Sequence, residues 1–201
     1  MQNYKTVADR CMVDLSELQF PIRDDQVLEI LERKGFSIFD VDIASLIRDQ
    51  IGSRYRRGAR LFEAPEVFDC SSFTKWVYAQ LGIWLPRRSI QQRTFGEEIP
   101  VQDAKAGDLI FKSGWIDYYD TDPADGVGHV GIHTGEGTVV HAANRKLGVI
   151  ESPDDKFTRE DKFRGIRRLI PRHERVFFLK TPREREVEIS DDIRWIVLQN
   201  L

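Results

Sequence analysis

Residues 128–144, "GHVGIHTGEGTVVHAAN", set His129, His133 and His141 in two β-rich runs on either side of a glycine-bearing turn. If Gly135 to Gly137 form the turn of an antiparallel hairpin, facing residues have numbers summing to about 272. His129 and His141 then lie within two positions of facing one another. His133 shares a strand face with His129, but at roughly 3.3 Å per residue it lies about 13 Å further along. It could line a cleft, but it cannot be the same base.

A pair of neighbouring imidazoles gains chemical meaning from a nucleophile, and the chain offers one in "FDCSSFTKW", residues 68–76. From Cys70 to Leu81 the apolar residues Phe73, Trp76, Val77 and Leu81 recur at steps of three and four, and Gly82 supplies the stop. That spacing predicts a helix with Cys70 in its first turn and Asp69 as its N-cap. Unpaired amides and the helix dipole at that end favour negative charge, so they would lower the thiol's pKa and could bind an oxyanion. In the functional reading His129 takes the thiol proton, and His141 accepts a hydrogen bond from its far nitrogen and fixes its tautomer. A buried structural thiol is the competing reading of Cys70. Zinc held by Cys70, His129 and His141 is a further alternative. No tight ligand-pair spacing or supporting carboxylate accompanies those three, so no metal is expected.

Working outward, "DDQVLEILERKG" predicts a short helix ending at Gly35, and Asp40 is a candidate cap for a second helix in "VDIASLIRDQIG". Residues 53–67 are arginine-rich, hold Gly58 and Pro65, and read as a loop. After "LPRRSIQQRTFG" come the short runs "DLIFK", "HVGIHT", "TVVHAA", "GVIES" and "FRGIRRLI". They predict an antiparallel meander covered on one face by the preceding helices, an α+β arrangement. The tail from Arg172, with "RVFFLK" and "IRWIVLQNL", has no evident place in that scheme. His173 lies outside the histidine cluster, and Cys11 reads as a packing residue.

Composition narrows the function. The 201 residues suit one core with appended segments, and 30 basic against 33 acidic residues spread along the chain give no basic patch for nucleic acid. No run approaches the roughly 20 apolar residues of a membrane span, and nothing near Met1 resembles a signal peptide, so a cytoplasmic location is expected, with delivery to a cell wall by another route still open. Two cysteines in unlike surroundings argue against a disulfide. Oligomeric state cannot be read.

"DCSSF" opening a helix, then "LPRRSIQQ", "AKAGDLIF", "GHVGIHTG" and "VVHAAN" in that order, resembles the NlpC family of papain-like bacterial cell-wall endopeptidases. The resemblance spans roughly residues 42–170 and implies a catalytic domain at 41–170. A helical extension at 1–40 and a segment of unknown role at 171–201 would flank it, neither matching SH3-type nor LysM wall-binding modules. It implies a papain-like fold and a cofactor-free cysteine peptidase with Cys70 as nucleophile, His129 as base and His141 as orienting residue. The implied substrate is a peptidoglycan-derived peptide cut between D-glutamate and a diamino acid. By position Tyr55, Asp69 and Ser71 match residues that flank the nucleophile and bind substrate. Ser72 stands where the family usually has glycine, His133 where tyrosine is common, and both are candidate substrate contacts. Residues 112–127, "KSGWIDYYDTDPADGV", form an insertion that could wall or lid the cleft. An acyltransferase or amidase on another substrate, or a non-catalytic binding module, are the alternative readings. Relatives that act on lipids usually carry the histidine before the cysteine, the reverse of the order here.

Overall fold

The structure, a computed structural model, describes residues 7–201. The first six residues of the expected 1–40 extension lie outside it. In chain order the strands are β1 (Arg10–Asp14), β2 (Ser37–Ile38), β3 (Arg54–Tyr55), β4 (Val67–Phe68), β5 (Glu97–Glu98), β6 (Leu109–Lys112), β7 (His129–His133), β8 (Thr138–Asn144), β9 (Gly148–Pro153), β10 (Phe163–Arg168) and β11 (Val176–Lys180). The helices are α1 (Leu15–Leu18), α2 (Asp24–Arg33), α3 (Ile43–Arg48), α4 (Cys70–Gln80), α5 (Ser89–Gln92), α6 (Asp155–Thr158) and α7 (Ser190–Leu198).

The chain divides into two compact units. Among the described residues, one comprises 7–41, 78–84 and 171–201, the other 42–77 and 85–170. In the first, β11 lies between β1 and β2, all antiparallel, with Arg10 facing Lys180 and Leu179 facing Ile38. Its core is apolar: Cys11, Val13, Leu15, Val27, Ile30, Leu31, Leu179, Ile193 and Val197 pack together. Burial pushes the Cys11 thiol up to about 12, consistent with a packing residue. The segment expected as a helical extension, 1–40, holds α1 and α2 and also two strands. Its strands β1 and β2 need β11 from the far end of the sequence, a pairing that local periodicity cannot announce. His173 closes this unit by meeting the buried Asp14 at 3.0 Å.

The second unit holds a six-stranded sheet in the order β5-β10-β6-β7-β8-β9. Strands β6 to β9 form the meander expected from the sequence, with Ile132 facing Val140 and His133 facing Val139, the register that a turn at Gly135–Gly137 dictates. Strand β10 departs from it by returning to pair with β6. Arg168 on β10 makes a bidentate pair with the buried Asp108 just before β6, at 2.9 and 2.6 Å, which gives that return a charged anchor. Ile99, Ile110, Val139, Phe157 and Ile166 form a core cluster in this unit.

Helix α3 starts two residues later than expected. Asp42, not Asp40, caps it by accepting from the Ala44 and Ser45 amides. Arg48 ties this helix to the sheet through Glu151 on β9 and Glu136 in the hairpin turn. The loop after α3 is also held by β9: the Gly52 amide donates to Val149, and the Val149 amide donates to Ser53. Gly148, which opens β9, has φ +69°, and a Cβ there would stand 2.4 Å from the Ser53 carbonyl oxygen. Because Ser53 leads into β3, Gly148 sets the position of Tyr55. Gly148→Ala should destabilise the protein by about 1–3 kcal/mol from backbone strain alone, read as a lower urea midpoint. An unchanged midpoint would show that the loop relaxes freely.

Candidate active site

The site begins at the start of α4. The Asp69 Oδ1 accepts from the Ser72 amide at 2.8 Å, and the Asp69 amide donates to Ser72 Oγ at 2.8 Å, a reciprocal cap. Strand β4 runs directly into this cap and pairs in parallel with β3, so Tyr55 lies beside Phe68 and close to Cys70. Burial, then the charges of Cys70 and Asp69, raise the Tyr55 pKa, so its hydroxyl stays protonated.

Asp69 has a second partner. Arg87 grips both of its carboxylate oxygens, and also donates to Ser71 Oγ at 2.9 Å and to the Ala59 carbonyl at 2.8 Å. The Gly58 amide completes the set on Asp69 Oδ2 at 2.9 Å. One buried carboxylate thus joins the helix start, the Tyr55 loop and the segment before α5. The buried Gln92 fixes α5 to α4 by accepting from Thr74 and donating to the Ser71 carbonyl.

The histidines come from the facing hairpin. His129 Nε2 and His141 Nδ1 are 2.8 Å apart, and His141 Nε2 lies 3.1 Å from Ser152 Oγ on β9. Continuing the β7–β8 register sets His141 opposite Gly131. A Cβ at Gly131 would meet Val139 Cγ1 at 2.4 Å and His141 Cβ at 3.1 Å, so glycine leaves the room in which the diagonal pair closes up. Phe157 backs both rings, with centroids 5.6 Å from His129 and 5.0 Å from His141.

Burial, followed by the charges of His141 and Lys112, lowers the His129 pKa well below the usual imidazole value. Burial, then Lys112 and Lys156, takes His141 down to about 3. Cys70 behaves differently from the sequence expectation of an acidified thiol. Burial and the Asp69 charge push it up to about 11, against the opposing pull of the Val130 and Ser71 amides and Arg87. The resting pair is therefore a thiol and a neutral imidazole. The Val130 amide that reaches the sulfur belongs to the residue after His129, so β7 supplies both a ring and an amide to this corner.

Tyr55, Asp69, Cys70, Ser71, His129 and His141 all line one open groove of about 940 Å³. Two expected contacts do not reach it. Ser72 is buried, its hydroxyl spent on the Asp69 backbone. His133 is buried too, its Nδ1 accepting from the Gly135 amide and its Nε2 lying 3.4 Å from Asp154, so it braces the hairpin turn. Arg87, Ser152 and Phe157 had been given no role. Arg87 stood inside the quoted "LPRRSIQQ", while Ser152 and Phe157 gave no local signal. Trp115, Ile116 and Tyr118 put the 112–127 insertion in the groove wall, held by the Tyr118–Val127 bridge and Arg88 over the Tyr118 ring. Among the described residues no three His, Cys, Asp or Glu side chains form a metal-binding group, and no helix is long and apolar enough to cross a membrane.

This arrangement has known counterparts. The NlpC/P60 family pattern matches residues 52–168, more than half of the chain. The chain belongs to the NlpC/P60 family. A "Probable endopeptidase" of Corynebacterium glutamicum is 39% identical over 109 residues, 54% of this chain and 45% of that protein. The "Gamma-DL-glutamyl hydrolase" of Bacillus subtilis is 32% identical over 130 residues, 64% of this chain and 29% of that one. The chain thus spans less than half the length of these curated relatives. The crystal structure of an NlpC/P60 family protein from Bacillus cereus superposes with a TM-score of 0.55 at 27% identity, covering 65% of this chain and 40% of that one. The papain-like α+β domain of the family is the architecture of the second unit.

Neutral, buried imidazoles have a consequence for stability. Below about pH 6.5 an unfolded chain protonates His129 and His141 while the folded chain does not, so stability falls as pH falls, by about 1.4 kcal/mol per pH unit for each of the two. For His141 that window runs from 6.5 down to about 3. Urea unfolding across this range should show a shallower loss for His141→Asn than for wild type. Equal slopes would contradict a buried neutral His141.

Proposed function

We propose that this NlpC/P60 chain is a cysteine endopeptidase that hydrolyses amide bonds in peptidoglycan stem peptides, at the bond between D-γ-glutamate and a diamino acid. The observation that carries the reading is the 2.8 Å contact between His129 Nε2 and His141 Nδ1 in the groove that also exposes Cys70. With Nε2 so engaged, His129 keeps Nδ1 for the thiol. For Nδ1 to accept, the proton of neutral His129 must sit on Nε2 and be donated to His141 Nδ1. His141 then carries its own proton on Nε2, toward Ser152 Oγ. The relay defines one tautomer at each ring.

In this mechanism His129 Nδ1 takes the Cys70 proton as sulfur attacks the scissile carbonyl carbon, and the His129 imidazolium that forms faces a lone pair of His141. The first amides of α4, with the helix dipole behind them, stand where the tetrahedral oxyanion develops. Collapse expels the amine, which receives its proton from His129, and leaves a Cys70 thioester. Water, deprotonated by His129, then releases the acid and restores the thiol. Tyr55, Asp69 and Ser71 line the same groove as the sulfur and would position the glutamyl portion, with Arg87 holding Asp69 in place.

The names of the C. glutamicum and B. subtilis relatives support this chemistry. Muropeptides incubated with the protein and followed by mass spectrometry should yield fragments cut at the γ-glutamyl bond. Cys70→Ala should lower the rate by at least ~10³-fold and His141→Ala by about 10²- to 10⁴-fold. Equal product from wild type and Cys70→Ala would overturn the cysteine mechanism.

A further inference from the structure

His129, His141 and Ser152 lie on three neighbouring strands and on one straight diagonal. Continuing the β7–β8 register sets His129 opposite Ala143. Strand β9 pairs Ile150 with His141 and Ser152 with Val139. Measured along β8, the three side chains therefore stand level with Ala143, His141 and Val139, and alternation puts all three on one face of the sheet. That line brings the two rings to 2.8 Å and the second ring to the Ser152 hydroxyl at 3.1 Å. His141 and Ser152 are both buried. Among the described residues Ser152 Oγ is the only hydrogen-bond partner of His141 Nε2.

A contact between two neutral imidazoles carries one proton and can run in either direction. In the productive direction each ring is protonated on Nε2, His129 Nδ1 is a free lone pair, and His141 donates outward. In the reverse direction each ring is protonated on Nδ1. Ser152 then donates to His141 Nε2, His141 Nδ1 donates to His129 Nε2, and His129 Nδ1 is blocked as a base. Both rings keep one proton throughout, so only the placement of hydrogens separates a working site from an idle one. A carboxylate in the place of His141 would only accept and would carry no such ambiguity.

The outer end of the relay settles the direction. In the productive state the buried His141 Nε2–H needs an acceptor, and Ser152 Oγ is the one in reach. Without that oxygen the N–H is an orphaned donor. Moving both protons to Nδ1 exchanges it for an orphaned lone pair, the better tolerated of the two. We propose that Ser152 is a positioning residue, which holds the histidine pair in its productive tautomers by accepting from His141, and that the site idles without it even though Cys70, His129 and His141 are all in place.

The test separates the hydroxyl from the shape of the side chain, since valine and threonine are close in size and differ in that group. Nitrogen-detected NMR of labelled histidine should find the His129 proton on Nε2 in wild type and S152T, and on Nδ1 in S152V. Muropeptide turnover in S152V should fall by about 10- to 100-fold in kcat, with KM little changed, and S152T should recover most of the loss. S152A gives the same tautomer readout if the valine variant fails to fold. A His129 proton that stays on Nε2 in S152V or S152A, or an S152T variant that behaves as S152V does, overturns the proposal. The kinetic half rests on the peptidase reading above, and the tautomer half does not. If wild type cleaves no muropeptide yet the proton moves in S152V and stays in S152T, Ser152 keeps its role and the peptidase reading falls.

Discussion

One hydrogen bond, between His129 Nε2 and His141 Nδ1, sets the terms for the rest of this site. It requires two strands in one register, a glycine opposite His141 and an aromatic wall at Phe157 to keep water away. Each follows from the sheet: the turn fixes the register, Gly131 removes a side chain from the crossing point, and α6 supplies Phe157. Ser152 extends the contact by one more group, so the orientation of His129 is determined from β9 as well as from β8. A buried pair of this kind has low tolerance for charge, which is why both imidazoles rest neutral.

At Cys70 opposing effects are held in balance. The helix start and the Val130 and Ser71 amides favour a thiolate, while burial and the adjacent Asp69 favour the thiol, and the thiol prevails at rest. Asp69 cannot be dispensed with to relieve this, because it caps α4 and anchors Arg87 and Gly58 at once. In the proposed mechanism the proton therefore leaves sulfur during attack, with His129 as the acceptor, and the geometry of the relay matters more than a lowered thiol pKa.

Much of this was legible in the residues because it depends on short-range periodicity. The helix from Cys70, its Asp69 cap and the hairpin register all follow from spacing within about twenty residues, and so does the proximity of His129 and His141. What was not legible depends on contacts distant in sequence. The return of β10 to β6 needs the Arg168–Asp108 pair, β1 needs β11, and Ser152 meets His141 only once β8 and β9 are aligned. Ser72 and His133 sit away from the groove for a related reason: alternation places a residue on a face, but a local cap or turn can claim its polar atoms before any ligand does. Arg87 was visible in a quoted motif without its partner, and a lone arginine says nothing until the carboxylate it grips is known.

The most direct measurement is nitrogen-detected NMR of labelled histidine in the folded protein, which reports tautomer and protonation at each ring nitrogen. The relay predicts a proton on Nε2 of both His129 and His141, and neutral rings as the pH falls through 6.5. A His129 ring protonated at both nitrogens at neutral pH, or a proton resting on its Nδ1, would contradict it.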